Sequence, residues 1–126
     1  MPLLQSDSIM AFIATATPGL AREFYRERLG LTLVEENQFA LVFDAGGTML
    51  RVQKVKEVRQ AQYTSLGWQV PDIEAKVNEL EKAGVKFERY NFPGVDEKGI
   101  WTPPGSNTKV AWFKDPDGNI LSLTQF

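Results

Sequence analysis

Two halves of this chain repeat one order of folding signals, and the repeat limits the architecture more than any single motif does. Its clearest copy is Lys114-Asp115-Pro116-Asp117-Gly118-Asn119-Ile120-Leu121, an acidic turn entering an apolar strand. Asp and Pro favour the start of a turn, and Gly118-Asn119 tolerate the positive φ that closes it. The first half has a counterpart in Phe43-Asp44-Ala45-Gly46-Gly47-Thr48-Met49-Leu50. Upstream, Leu29-Gly30-Leu31 and Ala83-Gly84-Val85 each end a helical stretch with Gly at C′ and then begin a strand. Thr17-Pro18 opens the first helix as N-cap and first-turn proline, and Asp72 caps the second. Short strands, Ile9 to Thr15 and Ser65 to Val70, precede the caps. Each half therefore reads βαβββ, over about 7–54 and about 62–126, within one domain spanning 1–126. The basic stretch Lys54 to Arg59 links them.

Both helices show the 3.6-residue period. Leu20, Phe24 and Leu29 share one side of the first, while Arg22, Glu23, Arg26 and Glu27 face solvent; Ile73, Val77, Leu80 and Gly84 share one side of the second. Leu31 to Val34 and Phe39 to Phe43 read as a hairpin around Glu35-Glu36-Asn37-Gln38. In the second half the matching hairpin is interrupted: Val85 to Tyr90 is followed by the Pro- and Gly-rich stretch Asn91 to Thr108 before a strand resumes over Lys109 to Lys114. Long loops in compact domains are commonly functional or mobile. Phe92 and Trp101 make this one either a lid or a surface excursion plugged onto the core.

Composition sets the class. A chain of 126 residues that is 43% hydrophobic buries a core without staples. The absence of cysteine removes disulfides and thiol chemistry and agrees with a reducing compartment, so a cytoplasmic location is expected. No basic, apolar leader opens the chain, and no apolar run approaches the roughly 20 residues that a membrane span needs. Fourteen basic residues against sixteen acidic ones give a net charge of −2, with no basic stripe interleaved with aromatics, so neither membrane nor nucleic acid is expected as a partner. Without histidine or cysteine the usual nucleophilic triads are absent, and no serine sits in a Gly-x-Ser-x-Gly elbow.

The paired βαβββ halves resemble the vicinal oxygen chelate superfamily of glyoxalase I, extradiol dioxygenases, and fosfomycin- and bleomycin-resistance proteins. Its pieces here are Phe24-Tyr25 with Leu29-Gly30-Leu31, Val70-Pro71-Asp72-Ile73 with Gly84-Val85-Lys86-Phe87, and Asp115-Pro116-Asp117-Gly118-Asn119. Phe87-Glu88-Arg89-Tyr90, Asp96-Glu97-Lys98-Gly99-Ile100 and Ala111-Trp112-Phe113-Lys114 look like an uncharacterised bacterial subgroup. The resemblance implies an α+β fold in which the paired modules curl their sheets into a cupped, incomplete barrel.

It also implies four metal-ligand positions, normally histidine or glutamate. The first stands fourteen residues before the Phe-Tyr pair, at Met10; another stands seven before Asp72, at Ser65; a third follows Asn119 by three, at Ser122. Aligning Gly47-Thr48 with Gly118-Asn119 places the fourth at Arg51. First-row divalent metals want imidazole nitrogen or carboxylate oxygen, whereas a guanidinium has no lone pair to give and serine hydroxyls are poor ligands. No metal and no cofactor is therefore expected.

Strand alternation from these positions gives the groove face. Met10 brings Phe12 and Ala14, Arg51 brings Met49 and Gln53, Ser65 brings Gly67 and Gln69, and Ser122 brings Ile120 and Thr124. Met10, Phe12, Met49, Arg51, Ser65, Gly67 and Ser122, with Trp101 as a cover, are the candidate ligand-binding residues; none has an assigned catalytic role. Such a mixed groove suits a small organic molecule, neutral or anionic because of Arg51, and does not suit the cationic bleomycin. The alternative is a lyase or dioxygenase-like enzyme of the same superfamily, with Asp96, Glu97, Tyr63 or Tyr90 available as acid or base. A third possibility is an interaction module whose groove is filled by its own side chains. Exposed sheet edges and apolar flanks of such halves point to a homodimer.

Overall fold

The alternating segments of each half assemble into a separate four-stranded sheet. A computed structural model describes residues 2–126; Met1, inside the expected domain, lies outside them. In the first half β1 (Met10–Thr15), β2 (Thr32–Glu36), β3 (Ala40–Ala45) and β4 (Thr48–Lys54) lie in the order β1-β4-β3-β2. In the second, β5 (Leu66–Gln69), β6 (Phe87–Glu88), β7 (Lys109–Lys114) and β8 (Ile120–Gln125) lie in the order β5-β8-β7-β6. The outer pairs β1·β4 and β5·β8 are parallel and the rest antiparallel. Neither sheet closes on itself, and the fold is the α+β arrangement of paired βαβββ units that the repeat implies.

Two hairpin strands differ from expectation: β6 keeps only Phe87–Glu88 of the stretch Val85 to Tyr90, and the turn of the first-half hairpin is narrower than Glu35 to Gln38. β2 runs on through Glu35 to Glu36, with a register shift between Leu33 and Glu35, and the turn narrows to the residues around Asn37. The Asn37 side chain accepts from Phe39 N at 2.8 Å and Ala40 N at 3.0 Å, making the bend itself. Glu36 is held in the strand by Arg22 and Lys54, which donate to its carboxylate at 2.7 and 3.0 Å.

The helices are α1 (Pro18–Glu23), continued by a π-helical turn over Phe24–Arg28, and α2 (Ile73–Lys82). Thr17 to Gly30 spans one residue more than Asp72 to Gly84, and the π turn absorbs it. Leu29 N accordingly donates to Phe24 O, five residues back, whereas Ala83 N donates to Glu79 O, four back. Gly84 takes a φ of 94°, the left-handed conformation a helix C′ position requires. Asp72 caps α2 by accepting from Ala75 N at 3.1 Å. Thr17 makes no such cap bond; its hydroxyl is spent elsewhere.

A single apolar cluster draws on both halves, from Ile13, Leu41, Phe43, Leu50 and Val52 to Ala111, Phe113, Leu121 and Leu123, with Tyr25, Ile73 and Val77 from the helices. Fully burying side chains of this size contributes about 1.5–3 kcal/mol each. Polar bonds then fasten one half to the other. Asp117 accepts from Thr15 Oγ1 at 2.6 Å, Ala16 N at 2.8 Å and Thr17 Oγ1 at 3.2 Å. Asn119 donates to Ala14 O at 2.9 Å, and the Tyr25 hydroxyl donates to Asp115 at 2.7 Å. The Asp115 to Asn119 turn thus works as a bolt between the halves. No described helix is long and apolar enough to cross a membrane.

Candidate functional site

Because the shared core consumes one face of each sheet, the other face of each looks outward. Register fixes what those outward faces carry. On the first sheet, one row is Met10, Met49, Asp44 and Thr32, and the next is Phe12, Arg51, Val42 and Glu35. Ala40 and Val42 close the floor at 0% and 5% exposure, while Met10, Phe12 and Met49 remain 42%, 51% and 43% exposed, so this wall is apolar and open. Arg51 is half-buried among them and forms no ion pair among the described residues. Asp44 and Glu35, absent from the alternation list, share its face. Asp44 accepts from Gly47 N at 2.9 Å and Glu35 from Asn37 Nδ2 at 2.7 Å, so both carboxylates are engaged locally.

On the second sheet one row is Gly67, Ser122, Trp112 and Glu88, and the next is Gln69, Thr124, Val110 and Trp101. A side chain at Gly67 would meet Ser122 Oγ at 2.9 Å, so the glycine leaves room above the serine. Ser65 continues β5, its amide donating to Ile120 O at 2.8 Å. The long loop divides its apolar residues. Ile100 enters the core at 3% exposure, while Trp101 bridges to Val110 and its indole donates to Pro93 O at 3.0 Å. Trp112 then gathers Tyr90, Trp101 and Phe92 around it at ring-centroid separations of 5.3, 5.8 and 6.0 Å. This aromatic wall borders a cavity of about 730 Å³ whose other side is formed by Gln60, Tyr63, Lys114 and Ile120. Burial, and then the charge of Glu88, push the Tyr90 hydroxyl up from its ordinary value, so it stays protonated near neutrality.

The eight candidate residues therefore fall into two sets. Met10, Phe12, Met49 and Arg51 share one outward face, and Ser65, Gly67, Ser122 and Trp101 share the other. The chain itself does not bring the sets together, because the core lies between them. Trp112 is absent from the candidate residues, Tyr90 appears there only as an acid or base, and Phe92 only as an aromatic of the long loop. Trp112 was recoverable by pairing β7 with β8 outward from the Asp115 turn, which sets it beside Ser122; for Phe92 and Trp101 the sequence marks the loop but not its packing on Trp112. Of the possible acids and bases, Asp96 is committed to its own loop, accepting from Lys98 N at 2.8 Å and Ile100 N at 3.0 Å. Met10, Arg51, Ser65 and Ser122 offer no imidazole and no carboxylate, so this donor set does not fit the superfamily's metal. Among the described residues no three Asp or Glu side chains gather as an alternative set.

Comparisons with known proteins agree with this architecture. A structure of a glyoxalase/bleomycin resistance protein/dioxygenase from Alicyclobacillus acidocaldarius superposes with a TM-score of 0.73 at 17% identity, covering 96% of this chain and 92% of that one. A glyoxalase family protein from Bacillus anthracis gives 0.70 at 16% identity, covering 95% and 94%. The genomically encoded fosfomycin resistance protein of Listeria monocytogenes gives 0.69 at 12% identity, covering 96% and 93%. At these identities the likeness shows the fold alone. No curated protein matches the chain. The family model described as Glyoxalase/Bleomycin resistance protein/Dioxygenase superfamily matches residues 7–123, and the chain belongs to that superfamily.

Proposed function

We propose that this protein binds a small neutral or anionic organic molecule without a metal, in a cup completed by a second copy of the chain. The observation that carries the reading is the outward aspect of two complementary half-grooves, one with an arginine that forms no ion pair among the described residues, beside apolar side chains, and one with an aromatic wall. A two-fold dimer that sets the first-half groove of each copy against the second-half groove of the other makes two equivalent cups and covers Met10, Phe12 and Met49. A planar ligand then lies against Trp112, Trp101 and Phe92 with its polar end toward Arg51 and Ser122. Asp44 and Glu35 add negative charge to that face, so the preference against a large cation such as bleomycin rests on contact with the half-buried Arg51 itself, and no bleomycin resistance is expected. The donor set at Met10, Arg51, Ser65 and Ser122 supports metal independence.

The test joins a thermal-shift screen of metabolites and drugs to light scattering and elemental analysis. A dimer at micromolar concentration, no stoichiometric transition metal, and a neutral or anionic hit are expected. Loss of Arg51 in Arg51→Ala should weaken that hit by about 1.5–3 kcal/mol. A monomer, one tightly held ion per chain, unchanged affinity in the variant, or tight binding of a bleomycin-like cation would each sink the corresponding part.

A further inference from the structure

The two halves close on each other through equivalent positions, and one of the two closures is left unfilled. Counting from the caps Thr17 and Asp72 sets Tyr25 level with Leu80. The backbone agrees, since Leu31 N donates to Tyr25 O at 3.0 Å and Val85 N to Leu80 O at 2.9 Å. Counting from the strand ends sets Asp115 level with Ala45: Asp115 N donates to Asn119 O at the turn position where Ala45 faces Thr48. At the first closure the Tyr25 ring is fully buried and its hydroxyl meets Asp115. At the second, Leu80 and Ala45 stand instead, and the facing turn is shortened to Gly46-Gly47. A cleft of about 360 Å³ remains there, walled by Leu29, Leu31, Trp68, Leu80, Phe113 and Leu123. Lys76, level with the buried Ala21, is the one charged residue lining it.

We propose that this cleft is a second binding site, separate from the grooves, for a small aryl acid whose ring stands where the Tyr25 ring stands in the other half and whose carboxylate meets Lys76. Volume and lining fit a ring, because the cleft lies within the range of small-molecule sites and its walls are apolar. Ala45 in place of Asp115 sets the ring chemistry: a ring hydroxyl would enter without the carboxylate that holds the Tyr25 hydroxyl, so an unsubstituted ring is preferred. The positive mouth sets the sign of the tail. Lys76 also donates to Glu79 at 3.1 Å in an exposed pair, so the charge contact adds selectivity while ring burial supplies most of the affinity.

The experiment is a methyl-detected NMR titration of the native protein with 3-phenylpropanoate. Saturable shifts are expected, with ring-to-methyl NOEs to Leu29, Leu31, Leu80 and Leu123. The neutral amide should bind about two- to fivefold more weakly, and the ring-hydroxylated acid about tenfold more weakly. Leu80→Tyr should plug the cleft and cost about tenfold or more in affinity. If that variant does not fold, the NOEs in the native protein decide alone. Absence of shifts up to the solubility limit, NOEs confined to groove residues such as Met49 and Ile120, or undiminished binding by a folded Leu80→Tyr would overturn the proposal.

Discussion

One carboxylate, that of Asp115, accepts four hydrogen bonds: from the Tyr25 hydroxyl, the Asn119 side chain, and the amides of Asp117 and Asn119. Its pKa is nonetheless raised, because burial outweighs those bonds. Burial, and then the Asp115 charge, push the Tyr25 hydroxyl up as well, so it remains a donor at every ordinary pH. Tyr25→Phe keeps the ring and deletes one bond to a charged acceptor, and should lower unfolding stability by about 1.5–3 kcal/mol in urea denaturation. The two shifted carboxylates then pull stability in opposite directions with pH. A raised Asp115 favours the fold below its unfolded pKa, and that contribution fades as pH rises through the folded value. Glu36, held by Arg22 and then Lys54 down to about 2 from its ordinary 4.5, contributes above the ordinary value and loses its contribution as pH falls between those two limits. Glu36→Gln should therefore flatten the acid limb of stability in that window, read from urea midpoints at stepped pH; an unchanged limb would show that the pair does not act in solution.

Elements that look alike in sequence are stabilised differently. Asp72 caps α2 internally, so Asp72→Ala should cost about 1 kcal/mol through the helix alone. Thr17 occupies the same position on α1 yet donates to Asp117 across the halves. A double-mutant cycle should thus give Thr17→Ala and Asp117→Ala an interaction energy of about 0.5 kcal/mol or more, whereas Asp72→Ala with Asp117→Ala should add within roughly 0.5 kcal/mol. Near-equal couplings in the two cycles would contradict the difference in partners. The positions of α1, α2 and most strands were legible because caps and left-handed glycines are local signals, but periodicity set the face of α2 only. On α1 the buried side belongs to Ala21 and Tyr25, while Leu20 is 54% exposed, because the π turn rotates the face away from the Leu20-Phe24-Leu29 stripe. The π turn was not legible, since one extra residue before Gly30 fits either a longer α-helix or a bulge. The bridge of Trp101 to Val110 and the gathering of Phe92 and Tyr90 on Trp112 were also hidden, being tertiary pairings made by an irregular loop. For the candidate site, alternation groups residues by face because a strand's period is fixed; it omits Asp44 and Glu35, which reach the first groove face through β3 and the register shift of β2.

At the scale of the whole molecule, what joins the halves is distributed unevenly. The stretch 55–65 between β4 and β5 forms no regular element and lies mostly at the surface, with the Gln60 side chain donating to Asp117 O at 2.9 Å. By contrast the Asp115 to Asn119 turn, the Tyr25 hydroxyl and the common apolar cluster cross from half to half. The peptide that ties them is consequently the least important of their ties once folding is complete. Cutting within 55–65 by limited proteolysis should leave a nicked species whose two fragments travel as one particle on a sizing column and separate only in denaturant. Asp117→Ala should loosen that association, and fragments that part spontaneously in native buffer would contradict it. In the terms of inheritance, the seam and the outward faces are separate targets for change, so each half is free to alter its outward face without dissolving the union.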